Sequence, residues 1–536
     1  MTDADAAVMT GDSSAVAAPE GVAGRPRWRT ALYPVLFAAY PVLFLWSQNL
    51  AEAEPGDVLQ PLLVVMAAAA VLTIVLGLIL RDIRKAALIL TPLIVGLLAY
   101  GHATRLSRAL DLPAFVQQAA WAAAVVAAVV LAFRLSERNL DRLGTALTRI
   151  AAILIAITLV QIVPYQLTNA SSSSTTTSVE EPAFATTTDA PKRDVYWFIF
   201  DRYGSDRALD LLYGIDNDLT PWLREQGFSV LDDAHPNYVK TSLSVATTNQ
   251  MTHILDMPGV PGPDENSQAF LTSMIKSSAV AQQFKALGYR YINIGSWWTP
   301  SRSSPLADVN LHTPAPDEFT SSLIEASALP AIVRAAGAGT VNPRTRHWEN
   351  NQYGLAAVSG VKDEPGPKYV FTHILLPHPP YVHAQDGHFL TAEEMRGRDG
   401  ATLFRDQLAY ANTRIREIIG GLLALPEDRR PIIILQADEG PETPEYRATR
   451  KTTWDWHAAS TEDLEIKFGI LNAWYVPGDR KVGLYPELTS INTFPLLFRD
   501  YFGLDYTLRE DRVFASEKYN RPYDLVEITD RLPPAP

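Results

Sequence analysis

Four apolar runs in this chain end on residues whose types can do chemistry. DVYWFIFD (194–201) closes on Asp201, and PIIILQAD (431–438) closes on Asp438 with Glu439 next. KYVFTHILLPH (368–378) ends on His378, and YRYINIGS (289–296) leads into Trp297, Trp298 and Arg302. If these runs are strands of one parallel sheet, their polar ends gather at the carboxyl edge, where open α/β sheets bind ligands. Three carboxylates cannot sit together unpaired, because repulsion raises their pKa values or drives them apart. A divalent cation resolves that conflict. An all-oxygen set suits a hard ion, so the expectation is one divalent metal on Asp201, Asp438 and Glu439, Mn²⁺ ahead of Mg²⁺ and Ca²⁺, with Zn²⁺ open.

A fifth piece, HPNYVKTSLSVATTNQM (235–251), is crowded with hydroxyls and nearly free of charge. SLSVATTNQMTHIL (242–255) carries a helical pattern, which puts Thr241 at the N-cap or in the first turn. An oxygen there faces free backbone N–H groups and the positive end of the helix dipole, a setting that favours phosphate. Coordination to a cation would lower the Thr241 hydroxyl pKa and make it a metal ligand and a nucleophile at once. Plain helix capping is the ordinary use of such a threonine, and Ser242 and Ser244 are rival hydroxyls. Ser244 lies about one turn deeper, where a hydroxyl bonds back to the helix backbone.

The elements that must position these residues are legible in the apolar pattern. The four runs, together with KFGILNAWYV (467–476), are apolar on both faces, as buried parallel strands are. Helical patterns separate them, for example SSAVAQQFKALG (277–288) and FRDQLAYANTRIREIIGGLLAL (404–425). Such alternation predicts an α/β fold with a mostly parallel, doubly wound central sheet. His373, in the middle of its run, reads as a core histidine. His383, His388 and the WDWH stretch (454–457) stay undecided between packing and function.

The first third of the chain is of another kind. Apolar runs at about 31–48, 58–80, 86–101, 115–133 and 150–166 approach the ~20 residues that span a bilayer core, which predicts five membrane helices. Arg25, Arg27 and Arg29 precede the first run, Arg81, Arg84 and Lys85 follow the second, and Arg134, Arg138, Arg142 and Arg149 separate the last two. The loop after the first run carries Glu52, Glu54 and Asp57 instead. The positive-inside rule then places the N-terminus in the cytoplasm and everything after Gln166 outside. The expected layout is a disordered tail (1–30), a five-helix transmembrane domain (31–166), a flexible Ser/Thr-rich linker (167–191) and an extracytoplasmic catalytic domain (192–536). The chain has no Cys, which excludes disulfides and thiolate metal sites. Its net charge of −13 argues against a nucleic-acid partner.

Taken together, FIFDRYG with Asp201, NYVKTSLSVAT with Thr241, HPPY with His378 and ILQADEGP with Asp438 and Glu439 resemble the alkaline phosphatase/sulfatase superfamily. The resemblance is to its membrane-anchored members, similar to lipoteichoic-acid synthases and phosphoethanolamine transferases; INTFPLLFRDYFGLD (491–505) is similar to their C-terminal region. It implies a metal-dependent transferase that moves a phosphoglycerol- or phosphoethanolamine-type group from a membrane phospholipid donor to an envelope glycan or lipid acceptor. Thr241 would carry the phosphorylated intermediate. His378 would bind a phosphate oxygen or protonate the leaving alkoxide, and Trp297, Trp298 and Arg302 would contact substrate. Two departures stand out. The family shows Asp-His-Gly where this chain has Asp438-Glu439-Gly440, and a sulfatase C/S-x-P-x-R motif is missing near Thr241. A phosphodiesterase or phosphatase that hands the group to water, and a non-catalytic scaffold, are the competing expectations.

Overall fold

The computed structural model describes residues 31–110, 112–174, 184–337 and 342–532. The expected N-terminal tail with Arg25, Arg27 and Arg29, and residues 175–183 of the expected linker, lie outside the described residues.

The outer domain is built on a seven-stranded sheet whose strands lie in the order β2 (Ser229–Val230), β7 (Asn472–Tyr475), β6 (Ile432–Gln436), β1 (Val195–Phe200), β5 (Lys368–Ile374), β3 (Arg290–Ile294) and β4 (Val309–Leu311). Its centre is β1 (Val195–Phe200), whose six residues are all buried. β1 pairs in parallel with β5 (Lys368–Ile374) and β6 (Ile432–Gln436), and β5 pairs in parallel with β3 (Arg290–Ile294), which pairs in parallel with β4 (Val309–Leu311). Burial on both faces explains why these strands read as continuous apolar runs. Trp197 anchors one face. Its ring lies 4.9 Å from Phe371 and 4.9 Å from Phe494, and its indole N–H donates to Gln436 Oε1 at 3.0 Å. Phe494 belongs to the stretch similar to the family's C-terminal region, which is helical from Ser490 to Tyr501, its last turn π-helical.

KFGILNAWYV departs from the parallel expectation. Lys467 and Phe468 end a helix, Thr461–Phe468, and only Asn472–Tyr475 form a strand, β7, which runs antiparallel to β6. β2 (Ser229–Val230) then pairs antiparallel with β7. The reason lies in the connection. After β6 the chain stays at the carboxyl edge, Ala437 N–H bonding Leu471 O at 2.9 Å, so the next strand can only return the opposite way. A two-stranded antiparallel ribbon, β8 (Phe514–Lys518) and β9 (Arg521–Glu527), completes the domain.

All five apolar runs of the N-terminal region are helical: α1 (Tyr33–Gln48), α2 (Pro55–Leu80), α3 (Ile83–Leu98), α4 (Tyr100–Ala109), α5 (Ala114–Arg134) and α6 (Glu137–Ser174). Among the described residues, three helices are long and apolar enough to cross a membrane, or four if α3 and α4, bent by 53°, count as one span. That replaces the expected five. The 16 residues of α1 reach only about 24 Å, short of a bilayer core of about 30 Å.

The bundle has two distinguishable ends. Ala31 and Tyr33 pack with Ala87, Leu88, Ala132 and Leu140, and Arg84 pairs with Asp141 at 3.0 Å. At the other end Ala51 O accepts from Gln268 N–H at 2.8 Å, and Leu97 O from Ala328 N–H at 2.7 Å. The start of α1 and the outer domain therefore lie at opposite ends. Part of the expected linker is ordered: α6 runs to Ser174, and the Thr188 hydroxyl donates to Phe502 O at 2.5 Å.

One glycine fixes the sheet edge next to the site. A Cβ on Gly295, just past β3, would lie 2.0 Å from Arg302 O, so backbone must give way. Gly295→Ala is expected to cost about 1–3 kcal/mol by overpacking. Thermal unfolding of the purified protein checks this, and an unchanged melting temperature would refute it.

Candidate active site

The parallel pairing of β1 with β6 brings the two aspartates together. Its register runs from Val195↔Ile432 to Ile199↔Gln436. The same offset carried two residues further sets Asp201 beside Asp438, at the ~4.8 Å spacing of neighbouring strands. Both residues are 2% exposed. Asp201 N–H still bonds Ile374 O on the other neighbour, at 3.0 Å.

Arg202 follows with φ at +60°, a left-handed conformation that costs a non-glycine residue about 1–2 kcal/mol. The turn aims its N–H at Asp438 Oδ1 (3.1 Å) and its guanidinium at Glu439 (2.8 Å) and Glu442 (3.1 Å). Lys467, the residue that ends as helix instead of strand, reaches Glu439 from the other side at 2.8 Å. Glu439 is thus held between two cations.

Thr241 is the first residue of the helix Thr241–Gln250, after an extended Lys240. Its hydroxyl is near enough to the Asp438 carboxyl to favour the charged form. Ser244 lies inside the helix, and its carbonyl accepts from Thr248 Oγ1 at 2.8 Å. Ser242 is 2% exposed, and its hydroxyl has no hydrogen-bond partner.

The donor set can be tested for a cation on the geometry alone. Oxygens of Asp201, Asp438 and Glu439 lie within 4.8 Å of one another. Asp201 Oδ1 and Asp438 Oδ2 are buried with no hydrogen-bond partner. Burial and the charges of Asp201 and Glu439 drive the Asp438 carboxyl far above the usual range, against the Thr241 and Arg202 contacts. For Asp201, burial works against the charge, but His378, His373 and Arg202 outweigh it and hold it below that range. Two orphaned carboxylate oxygens, on Asp201 and Asp438, fit a divalent cation that these two residues would hold. Glu439 lies within reach, although Arg202 and Lys467 already engage both of its oxygens.

These residues border a cleft of about 200 Å³. His378, Trp297 and Trp298 line it as well, whereas Arg302 does not: its Nη2 donates to Thr313 O (3.0 Å) and Ala315 O (2.6 Å) of its own loop. His373 is buried as a core residue would be, yet its Nε2 stands 3.6 Å from Asp201 and its Nδ1 2.9 Å from Ser301 Oγ. His383 stacks on Tyr410 at 4.7 Å, and Trp454 and Trp456 of WDWH pack around Tyr446, so both are packing residues. His388 sits on the surface between Asp386 and Glu394.

Several lining residues escaped the sequence reading. Arg202 and Lys240 adjoin Asp201 and Thr241, and adjacency was their only signal. Glu52 comes from the α1–α2 loop, where it counted only toward orientation, and Glu318 lies in a helix, Glu318–Ala326, that carried no motif. The Glu318 carboxyl is raised to about 7, by burial first and then by the charges of Glu52 and Asp57.

No protein-family model matches this chain, and no curated protein matches it. Among solved structures it is similar to the C-terminal periplasmic domain of EcEptC from Escherichia coli, at 12% identity over 66% of this chain and 98% of that one, TM-score 0.42. The integral membrane lipooligosaccharide phosphoethanolamine transferase A (EptA) from Neisseria meningitidis matches at 11% identity over 88% of this chain and 94% of that one, TM-score 0.34. The phosphonate monoester hydrolase of Agrobacterium radiobacter matches at 12% over 60% and 80%, TM-score 0.36.

Glu318 yields a pH test. A carboxyl whose folded pKa exceeds its unfolded value binds more protons when folded, so its charge costs stability as pH rises. With a folded value of about 7, that loss accumulates from the ordinary value of 4.5 up to about 7. Glu318→Gln is therefore expected to raise the melting temperature at pH 8 and to leave it unchanged at pH 4. Equal shifts at both pH values would contradict the assignment.

Proposed function

We propose that this chain is a metal-dependent, membrane-bound transferase. It moves a phosphoglycerol- or phosphoethanolamine-type group from a phospholipid donor to an envelope glycan or lipid through a phospho-Thr241 intermediate. One observation carries the reading: a helix-start threonine, Thr241, lines one cleft with Asp201 and Glu439, beside the orphaned oxygens of Asp201 and Asp438.

A divalent cation on Asp201, Asp438 and Thr241, when bound, supplies Lewis-acid activation of the hydroxyl. The remaining work falls to the chain. Lys240, whose pKa burial pulls down to about 8 against the charges of Glu52 and Glu439, stays mostly protonated at neutral pH and faces a phosphate anion. Ser242 and His378 line the same cleft beside Thr241. Thr241 Oγ attacks phosphorus in line as its proton passes to His378, whose pKa burial lowers; the bond to the lipid oxygen breaks with its electron pair on that oxygen, and His378 hands the proton to the departing alkoxide. Covalent capture suits an enzyme that selects an acceptor other than water. Glu52, from the membrane-side loop, lines the same cleft and keeps the chemistry next to the lipid headgroups.

The full chain in nanodiscs with head-group-labelled phosphatidylethanolamine or phosphatidylglycerol tests this. Mass spectrometry should find the label on Thr241, and Thr241→Ala should lower turnover on the order of 10⁴-fold or more. Parent-level turnover in that variant would reject the mechanism. Label passing only to water, with every envelope acceptor refused, would make the protein a hydrolase.

The metal site has a readout of its own. MnCl₂ or ZnCl₂ should raise the melting temperature of the chelator-treated parent, because a ligand that binds only the folded state stabilises it. Asp438→Asn should lose that rise. A variant that responds as the parent does would place the ion elsewhere.

A further inference from the structure

Where the outer domain meets the outer end of the bundle lies an open cavity of about 450 Å³ that shares no lining residue with the reaction cleft. Both halves of the protein build it: Arg105 from α4 and Gln118 from α5 on one side, Glu325 and Arg334 on the other. The halves approach closely here. Ala328 N–H donates to Leu97 O at 2.7 Å, and a Cβ on Gly101 would lie 2.8 Å from Ala326 O. Without a side chain at that position, α4 can pass this near.

The charge at the opening favours an anion. Arg105 and Arg334 are both exposed, and among the described residues neither guanidinium has a hydrogen-bond or ion-pair partner. Glu325 borders the same cavity but stands 3.8 Å from Arg346, which offsets its charge. The planar fork of an arginine matches the paired oxygens of a phosphodiester.

The surroundings point to a phosphodiester carried on a lipid. The helix Leu329–Ala335 buries none of its residues, and Leu329 and Ile332, three apart on one face, are 39% and 53% exposed. On α4, α5 and the turn between them, Leu106, Leu110 and Phe115 are exposed as well. A contiguous apolar surface rimmed by arginine is the character of an element that lies in a membrane interface. Tyr100 borders the cavity, with its ring 6.5 Å from that of Trp121; its hydroxyl bonds Gln117 Oε1 at 3.2 Å, and the Trp121 indole N–H bonds Gly96 O at 2.9 Å. Such rings, apolar in body and polar at the tip, favour the headgroup zone of a bilayer. The 53° bend between α3 and α4 turns α4 partly along the plane of a bilayer that α3 would enter.

We propose that this cavity binds the headgroup of an anionic phospholipid, its phosphate on Arg105 and Arg334 and its acyl chains over Leu329 and Ile332. The lipid is held and does not react, because Thr241 lines the other cleft. Since α4, α5 and the helix Leu329–Ala335 all border it, the bound lipid clamps the outer domain onto the bundle. This rests on the membrane-bound part of the proposed function and not on its chemistry.

The full chain in nanodiscs of phosphatidylcholine, with or without phosphatidylglycerol, tests the site: native mass spectrometry counts the lipid retained after release into detergent. The parent should keep one phosphatidylglycerol. Arg105→Gln with Arg334→Gln should keep at least tenfold less, and so should Ala331→Phe, which fills the cavity from its own wall. Arg396→Gln, at an exposed arginine that does not line the cavity, should retain lipid as the parent does. Melting temperatures in phosphatidylcholine near that of the parent establish that the variants fold. Parent-level retention in Ala331→Phe overturns the cavity and leaves only surface charge. Phosphatidylcholine kept as well as phosphatidylglycerol overturns the anionic headgroup, and displacement by an equal concentration of inorganic phosphate overturns the lipid. A parent that enters nanodiscs yet keeps no more lipid than the double arginine variant overturns this site alone. A parent that never enters nanodiscs fails the membrane-bound reading together with it.

Discussion

Two buried carboxylates forced into adjacency are the constraint around which the rest of the outer domain is arranged. The parallel register of β1 and β6 leaves Asp201 and Asp438 no way to separate, and burial denies them water. In such a place repulsion is weakly screened, and a single shared cation or proton is the stable arrangement. The opposed titration of the pair follows from that crowding. The helix that Thr241 begins starts at the same cleft, which Thr241 lines together with Asp201.

Around this pair the protein places a set of compensating charges. Arg202 bridges Glu439 and Glu442, Lys467 holds the far oxygen of Glu439, and Arg450 pairs with Glu442. Buried ion pairs of this kind add little net stability, but removing one partner strands the other, at about 3–5 kcal/mol. Their effect is to fix geometry: Arg202 adopts a left-handed backbone that a bulky side chain otherwise avoids, and Lys467 ends its helix at the carboxyl edge of the sheet. The same network neutralises the buried Glu439 with two neighbouring cations.

The N-terminal helices do more than pack against one another. Ala51 is hydrogen-bonded to Gln268, and Glu52 next to it reaches the reaction cleft, so the loop between α1 and α2 is part of the site wall. The Glu318–Ala326 helix joins the two halves: Glu318 borders the reaction cleft, and Phe319 and Leu323 pack with the bundle. Burial of Glu318 beside Glu52 and Asp57 thereby couples the packing of the bundle to the electrostatics of the cleft.

The sequence by itself determined a buried, mostly parallel sheet, the apolar N-terminal helices, and the acids and hydroxyl brought to one sheet edge. Those features are written in local patterns: two-sided apolar runs, runs near membrane length, and acids directly after a strand. The tertiary structure alone decided the direction of β7, the number of helices long enough to span, the contact of His373 with Asp201, and the turning of Arg302 to its own loop. It alone also brought Glu52 and Glu318 to the cleft. These depend on where a chain re-enters a sheet and on which distant surfaces pack together. No window of neighbouring residues encodes that, because it is set by burial summed over the whole fold.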